Sequence, residues 1–190
     1  MLAAGQGIRF GSQKLLVPIA GMPLVRLTVE NVLAADVQEV VVVVGRDADS
    51  VRTALSGLPV RFAENPNYAD GMSTSVRVGI DALAAGTNAA LIALGDQPGV
   101  TLGIANRLIE AQRISGKPIV VPVYAGQRGT PVLFRSDIFP ELGAIHGDQG
   151  ARELVMSDLR RVEMVDFPFA PPGDVDTRED YSVLLRLMGR

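Results

Sequence analysis

Five consecutive valines at residues 40–44 constrain the fold more than any other feature of this chain. An unbroken β-branched run of strand length cannot show one face to water, so it reads as a strand buried on both sides. Such strands occur in parallel sheets covered by helices. The surrounding pattern agrees. Residues 2–4 read as the tail of a first strand, residues 60–63 and 119–122 as strands, and residues 89–94 as another buried strand. Between them, apolar residues recur at helical spacing over 23–35, 49–55, 73–85 and 101–115, with Thr101 placed as a cap. The expected fold is α/β, a three-layer α/β/α Rossmann-like arrangement with a mostly parallel sheet.

After Pro122 the alternation weakens. Residues 124–129 read as a hairpin turn, 131–134 as a returning strand, 136–142 and 148–157 as short helices, and 161–166 as a strand. A proline-rich stretch at 170–173 leads to a terminal helix over 177–188, where Thr177 and Asp180 have near capping-box spacing. No repeat or linker divides the chain. Residues 1–190 are read as one domain: a core over 1–122, a small C-terminal elaboration over 123–176, and the helix over 177–190. The first strand is oddly short upstream of Leu2, so either the start lies further upstream or the chain is trimmed.

In such sheets ligands bind beyond the carboxyl ends of strands. Two segments follow strands there. The first is a glycine loop, with Gly5, Gly7 and Gly11 interleaved with Arg9 and Lys14. Glycine lets backbone N–H groups close around a phosphate, and a guanidinium and an ammonium can grip its oxygens. The spacing excludes a P-loop, because Ser12 and Gln13 separate Gly11 from Lys14. It also misses the dinucleotide fingerprint, because Phe10 stands where the third glycine belongs. A cradle for a nucleoside triphosphate remains, beside an ordinary glycine turn with solvated charges. The second segment is Gly95-Asp96-Gln97-Pro98. A carboxylate there suits Mg²⁺, which takes few protein carboxylates plus phosphate oxygens, although an aspartate before a turn proline is also commonplace.

Asp174 and Asp176 alternate around Val175, so in extended chain both face one way. Gly71-Met72-Ser73-Thr74-Ser75 opens a helix with small residues and hydroxyls, which either cap the helix or admit a nucleobase. Composition excludes other classes. Cysteine is absent and His146 is the one histidine, which leaves no thiolate or multi-histidine metal site and fits a reducing cytoplasm. A net charge of −3 argues against a nucleic-acid surface. The apolar runs are too short for a membrane span, and no signal-peptide pattern opens the chain. Arginine outnumbers lysine sixteen to two, so a lysine kept in the glycine loop points to a role arginine cannot fill.

Together these segments resemble the molybdenum-cofactor nucleotidylyltransferase family, a branch of the glycosyltransferase-A-like fold. Its cytidylyltransferase branch is the nearest match, and the likeness runs along nearly the whole chain. The segments that carry it are Leu-Ala-Ala-Gly-x-Gly-x-Arg-x-Gly-x-x-Lys from Leu2, Asn65-Pro66, Gly71-Met72 with Ser75-Val76, and Gly95-Asp96-Gln97-Pro98. Gly126, Gly129-Thr130-Pro131, Gly147-Asp148-Gln149-Gly150-Ala151-Arg152 and Asp174-Val175-Asp176-Thr177 continue it. The resemblance implies Arg9 and Lys14 as catalytic groups on the triphosphate. It implies nucleotide contacts at Leu2, Ala3, Ala4, Gly5, Gly7, Asn65, Gly71, Ser75, Leu94 and Asp96. It implies Mg²⁺ on Asp96 and Asp176, and an acceptor side at Gly129, Asp148 and Arg152. Ala4, rather than a second glycine, resembles the cytidine branch, and Thr130 stands where relatives often carry histidine. The implied partners are CTP or another nucleoside triphosphate, a molybdopterin-like acceptor, and a client molybdenum enzyme or its chaperone. The rival readings are another cytidylyl or sugar-phosphate nucleotidyltransferase, a redox accessory protein holding NAD(P), and a non-catalytic nucleotide-binding chaperone.

Overall fold

The structure, a computed structural model, describes residues 1–5, 10, 13–147 and 151–188. Its centre is β1 (Leu2–Ala3), which pairs in parallel with β4 (Val41–Val44), Leu2 opposite Val43. β4 pairs in parallel with β5 (Arg61–Glu64). On its other side β1 meets the chain just beyond β6 (Ala89–Ile92): Leu2 donates to the Ala93 carbonyl at 2.8 Å, and Gly95 donates to Leu2 at 2.9 Å. This parallel bridge joins Leu2 to Leu94. β6 runs antiparallel to β9 (Val132–Arg135), which is antiparallel to β7 (Ile119–Tyr124). β7 is parallel to β10 (Val162–Phe167). The order is β5-β4-β1-β6-β9-β7-β10, mostly parallel with β9 reversed.

Alternation along each strand sends side chains to two helical layers. α1 (Leu24–Leu33) and α2 (Ala48–Ala54) cover one face, packing Val25, Val29, Val32 and Val51 on Val42, Val44 and Ala3. α4 (Leu102–Ser115) buries Ile104 and Leu108 against Val120, Leu133 and Val165. On the opposite face, Val76 of α3 (Met72–Asp81), Leu142 of α5 (Phe139–Gly143) and Val155 of α6 (Arg152–Ser157) pack on Ile119, Val121 and Phe134. The valine run is buried on both faces, as its composition requires. α7 (Arg178–Met188) returns to the start of the chain, with Tyr181 edge-on to Phe10 at 6.2 Å and its hydroxyl donating to the Pro18 carbonyl at 2.6 Å.

Several boundaries move from their expected places. The helix read over 73–85 ends at Asp81, and the chain then turns towards Gly86, where φ is +83°. The strand read over 119–122 runs on to Tyr124, then turns through Ala125 and Gly126 into β8 (Gln127–Arg128). Thr101 stands at the first boundary of α4 but makes no side-chain cap hydrogen bond. A hairpin lies outside the expected elements: β2 (Pro18–Ile19) and β3 (Met22–Pro23) pair across Ala20 and Gly21, both at positive φ. The Ala-Gly pair was its signal, since a two-residue hairpin turn of this kind needs positive φ at both positions.

Gly45, just past β4, shows how tightly the sheet edge is built. A Cβ there would lie 2.8 Å from the Ala4 carbonyl oxygen and 2.9 Å from Tyr68 Cβ. Backbone cannot yield as a side-chain tip can, so Gly45→Ala is expected to cost about 1–3 kcal/mol by overpacking. Gly143→Ala, with open space around it, is expected to be neutral or slightly stabilising. Thermal unfolding of the two variants checks the contrast; equal melting temperatures would contradict it.

Candidate active site

Three chain segments converge at the carboxyl edge of β1 and β6. Lys14 opens a single helical turn, Lys14–Leu16, whose Leu15 is buried under α2 and β1. Asp96 lies just beyond the β6 extension that bridges β1. Asp176 arrives from the far end of the chain. Its placement follows from Val175, which is 2% exposed among Phe10, Ile19 and Leu24 and donates its N–H to the Asp96 carbonyl at 3.1 Å. With Val175 pointing into the core, Asp174 and Asp176 both face the site, as alternation demands.

The Lys14 ammonium sits between two carboxylates, 2.5 Å from Asp96 Oδ2 and 2.7 Å from Asp176 Oδ1. Burial works to lower the Lys14 pKa, but the charges and hydrogen bonds of Asp96 and Asp176 outweigh it and hold the pKa raised. The contact therefore contributes fully below the ordinary lysine range and is lost only as pH climbs through the raised value. Asp174 holds a third carboxylate nearby. Burial raises its pKa, the like charges of Asp96 and Asp176 add to the rise, and the Gln97 hydrogen bond and Lys14 oppose it.

Sequence reasoning gave no separate role to the group that fixes Asp174. Gln97, 6% exposed, donates from Nε2 to Asp174 Oδ1 at 2.5 Å and accepts the Thr130 hydroxyl at Oε1, also at 2.5 Å. An ionised carboxylate only accepts, so the amide orientation follows from the network. The Tyr124 hydroxyl donates to the Thr130 carbonyl at 2.9 Å, which ties this chain of contacts to β7. No local pattern announces it, because its members lie as far as 77 residues apart.

On the other flank, Asn65 is 1% exposed and binds the opening of α3. Its amide donates to Thr74 Oγ1 at 2.8 Å and Ser75 Oγ at 2.9 Å. None of these hydroxyls caps α3, whose first boundary is Gly71 at φ +105°. They tie the 65–71 loop to the helix instead: Thr74 Oγ1 also donates to the Gly71 carbonyl at 2.8 Å. Asn65, Gly71 and Ser75 thus form one small-residue corner. Ala3, Gly5, Gln13, Lys14 and Asp47 line a recess at the sheet edge. Gly129 lies against the Tyr124 ring, where a Cβ would come within 3.0 Å, and Arg152 is exposed at the start of α6. Gly7, Arg9 and Asp148 lie outside the described residues.

The terminal helix is capped as its spacing predicts. Asp180 Oδ2 accepts the Thr177 N–H at 2.7 Å, and Thr177 Oγ1 accepts the Asp180 N–H at 3.1 Å. The same carboxylate accepts the Asp176 N–H at 3.2 Å, which fixes the backbone behind the site.

A profile of the MobA-like NTP transferase domain matches residues 1–163. The chain belongs to that family. It is a nucleotidyltransferase, and the sheet with its loops at one edge is the family's Rossmann-like fold. Nicotine blue oxidoreductase of Paenarthrobacter nicotinovorans is 33% identical over 195 residues, covering 97% of this chain and 94% of that one. The solved Rv0371c homolog from Mycobacterium sp. strain JC1 superposes with a TM-score of 0.89 at 28% identity, covering 100% and 94% of the two chains. Rv0371c of Mycobacterium tuberculosis in complex with manganese superposes with a TM-score of 0.78 at 31% identity, covering 97% and 95%. No helix among the described residues is long and apolar enough to cross a membrane.

Proposed function

We propose that this chain transfers CMP from CTP to the terminal phosphate of a molybdopterin-type acceptor in the cytoplasm, releasing pyrophosphate. The observation that carries the reading is the Lys14–Asp96–Asp176 cluster at the carboxyl edge of β1. Two carboxylates that converge on the Lys14 ammonium support a place for a small hard cation beside it. Mg²⁺ takes few protein carboxylates and completes its shell from phosphate and water, which two aspartates would allow. Asp96 and Asp176 would hold Mg²⁺, which when bound neutralises phosphate charge and polarises the reacting phosphoryl group.

The remaining work falls to the chain itself. An acceptor phosphate oxygen forms a bond to the α-phosphorus, the bond from that phosphorus to the α,β-bridging oxygen breaks, and pyrophosphate carries away the electron pair. Such transfers depend on positioning and charge stabilisation rather than covalent help from the protein. Lys14 exchanges its carboxylate contacts for the α-phosphate oxygens, and Arg9 steadies the departing β- and γ-phosphates. Asn65 holds Ser75 and the Gly71 corner beside the base. Gly129, Asp148 and Arg152 form the acceptor side, and a client molybdenum enzyme or its chaperone receives the product.

Because Ala4 is 4% exposed and its carbonyl is packed against Gly45, the base side of the loop has little room to give. CTP is therefore expected to bind at least tenfold more tightly than GTP in the presence of Mg²⁺, about 1.4 kcal/mol. Calorimetry with both nucleotides checks this, and equal or tighter GTP binding would contradict the base assignment.

A second reading has one specific observation in its favour: a full-length relative bears the name of an oxidoreductase. In that reading the glycine loop holds NAD(P). The two separate cleanly, since only the transferase forms pyrophosphate and only the oxidoreductase consumes reduced nicotinamide.

A further inference from the structure

Residues 95–100 turn beyond β6 and hold the segment over 172–176 in place. The Asp96 carbonyl accepts the Val175 N–H at 3.1 Å, and Gly99 packs on Pro172, where a Cβ at Gly99 would come within 3.2 Å of Pro172 Cβ. Gln97 adds a side-chain contact, donating from Nε2 to Asp174 Oδ1 at 2.5 Å. The turn is itself fixed. Val100 donates its N–H to the Gln97 carbonyl at 3.1 Å, and Asn31 of α1 donates to the Pro98 carbonyl at 2.9 Å. The Asp96 and Gly99 contacts end at the segment. Gln97 reaches further, because its Oε1 accepts the Thr130 hydroxyl.

Thr130 belongs to the other flank of the site. It follows Gly129 on the connection from β8 to β9. That connection is tied to β7 on both sides of the peptide: Gly129 donates its N–H to the Pro122 carbonyl at 3.1 Å, and the Thr130 carbonyl accepts the Tyr124 hydroxyl at 2.9 Å. Tyr124 is fully buried and stacks on Phe167 with ring centroids 5.2 Å apart. One amide, 6% exposed, therefore joins the β8–β9 connection to the segment that carries Asp176. An amide suits the bridge because it donates at one end and accepts at the other, whereas a carboxylate only accepts. Removing it leaves a hydroxyl and a carboxylate without their partner in a largely buried place.

We propose that Gln97 is a positioning residue for the transfer: it holds Thr130 and Asp174 at a fixed separation, and so sets the acceptor side against Asp96 and Asp176. The assignment rests on the transferase reading given above. A new bond at the α-phosphorus needs the acceptor oxygen in line with the departing pyrophosphate. A misplacement of about 1 Å can cost roughly a hundredfold in rate, even when its cause lies away from the reacting atoms. Gln97 stands apart from the recess lined by Ala3, Gly5, Gln13 and Lys14, so its loss is expected to disturb the acceptor and spare the nucleotide.

The test uses Gln97→Ala, Thr130→Val, Thr130→Ser and the double variant Gln97→Ala with Thr130→Val. In Gln97→Ala, kcat/KM for molybdopterin is expected to fall about a hundredfold while the Kd for CTP with Mg²⁺ stays within about twofold. Thr130→Val, which removes the hydroxyl and keeps the shape, is expected to fall about as far, and Thr130→Ser to recover most of the loss. The double variant is expected to be no slower than Gln97→Ala, because both changes act through one contact. A loss confined to Tm, with kcat/KM within about threefold of the parent, would overturn the proposal. So would additive losses in the double variant, which would give Thr130 a contact of its own with the acceptor. Urea unfolding needs no substrate and so separates the link from the reaction. The midpoint shifts of Thr130→Val and Asp174→Ala are expected to be less than additive in the parent and additive in Gln97→Ala. Additive shifts in both backgrounds would remove the link whatever the reaction. Non-additive shifts in a parent that forms no CMP-linked molybdopterin would keep the link and overturn the transferase reading, and the positioning role with it.

Discussion

Lys14→Ala is expected to lower kcat by roughly a hundred- to thousandfold while weakening CTP binding far less, the cost of about 2.7–4 kcal/mol that attends loss of one preorganised charge donor. The ground-state structure shows why the two parameters should part. Lys14 is held 2.5 and 2.7 Å from Asp96 and Asp176, so the free protein already satisfies it. Moving to a triphosphate exchanges one set of anionic partners for another, which adds little to ground-state binding. On the proposed reaction, charge that builds on the α-phosphate during transfer would meet the Lys14 ammonium, in a half-buried site where such an interaction counts most. Lys14→Arg is expected to rescue only part of the rate, because a planar fork cannot occupy the point between two carboxylates that an ammonium fills. A Lys14→Ala rate within about threefold of the parent, worth well under 1 kcal/mol, would be too small for a group acting on the transition state and would favour a nucleotide-binding accessory role.

Asp96→Asn is expected to drop turnover below about a thousandth of the parent, some 4 kcal/mol of barrier, and to leave the fold intact. The fold is spared because the structural work at this position is done by backbone: the Asp96 carbonyl accepts the Val175 N–H, and asparagine keeps both the carbonyl and the shape. What disappears, on the proposed function, is one of the two charges that would hold Mg²⁺. Activity assays across a Mg²⁺ titration, beside circular dichroism of the variant, check both halves. Near-parental activity at low Mg²⁺ would remove Asp96 from the metal site.

The parts of this molecule legible in the sequence were those written locally. A five-valine run leaves few alternatives to a doubly covered strand, and strand ends followed by glycine or Gly-Asp mark the binding edge of such a sheet. Thr177 and Asp180 were readable as a cap because both partners lie within one turn. The convergence of Lys14, Asp96 and Asp176 was legible only as a family resemblance. Asp96 and Asp176 are 82 and 162 positions from Lys14, and the element that delivers Asp176 is a buried Val175 that no periodicity marks. The roles of Asn65 and Gln97 as internal braces had no local signal, since each is defined by partners that folding supplies. Ser75 illustrates the converse. Its place at a helix opening suggested a cap, but its hydroxyl is claimed by Asn65 from a neighbouring loop. Two helix ends differ from the apolar pattern: α3 stops at Asp81, with Ala82 beyond it, and Pro23 closes β3 and only flanks α1.

The most direct measurement of the central claim is pyrophosphate release from CTP in the presence of Mg²⁺ and molybdopterin, followed beside oxidation of NADPH under the same conditions. Pyrophosphate is expected to appear one for one with a CMP-linked acceptor, to require both CTP and molybdopterin, and to vanish in Asp96→Asn, with no oxidation of NADPH. NADPH oxidation without acceptor-dependent pyrophosphate would contradict the account and assign the glycine loop to a nicotinamide cofactor.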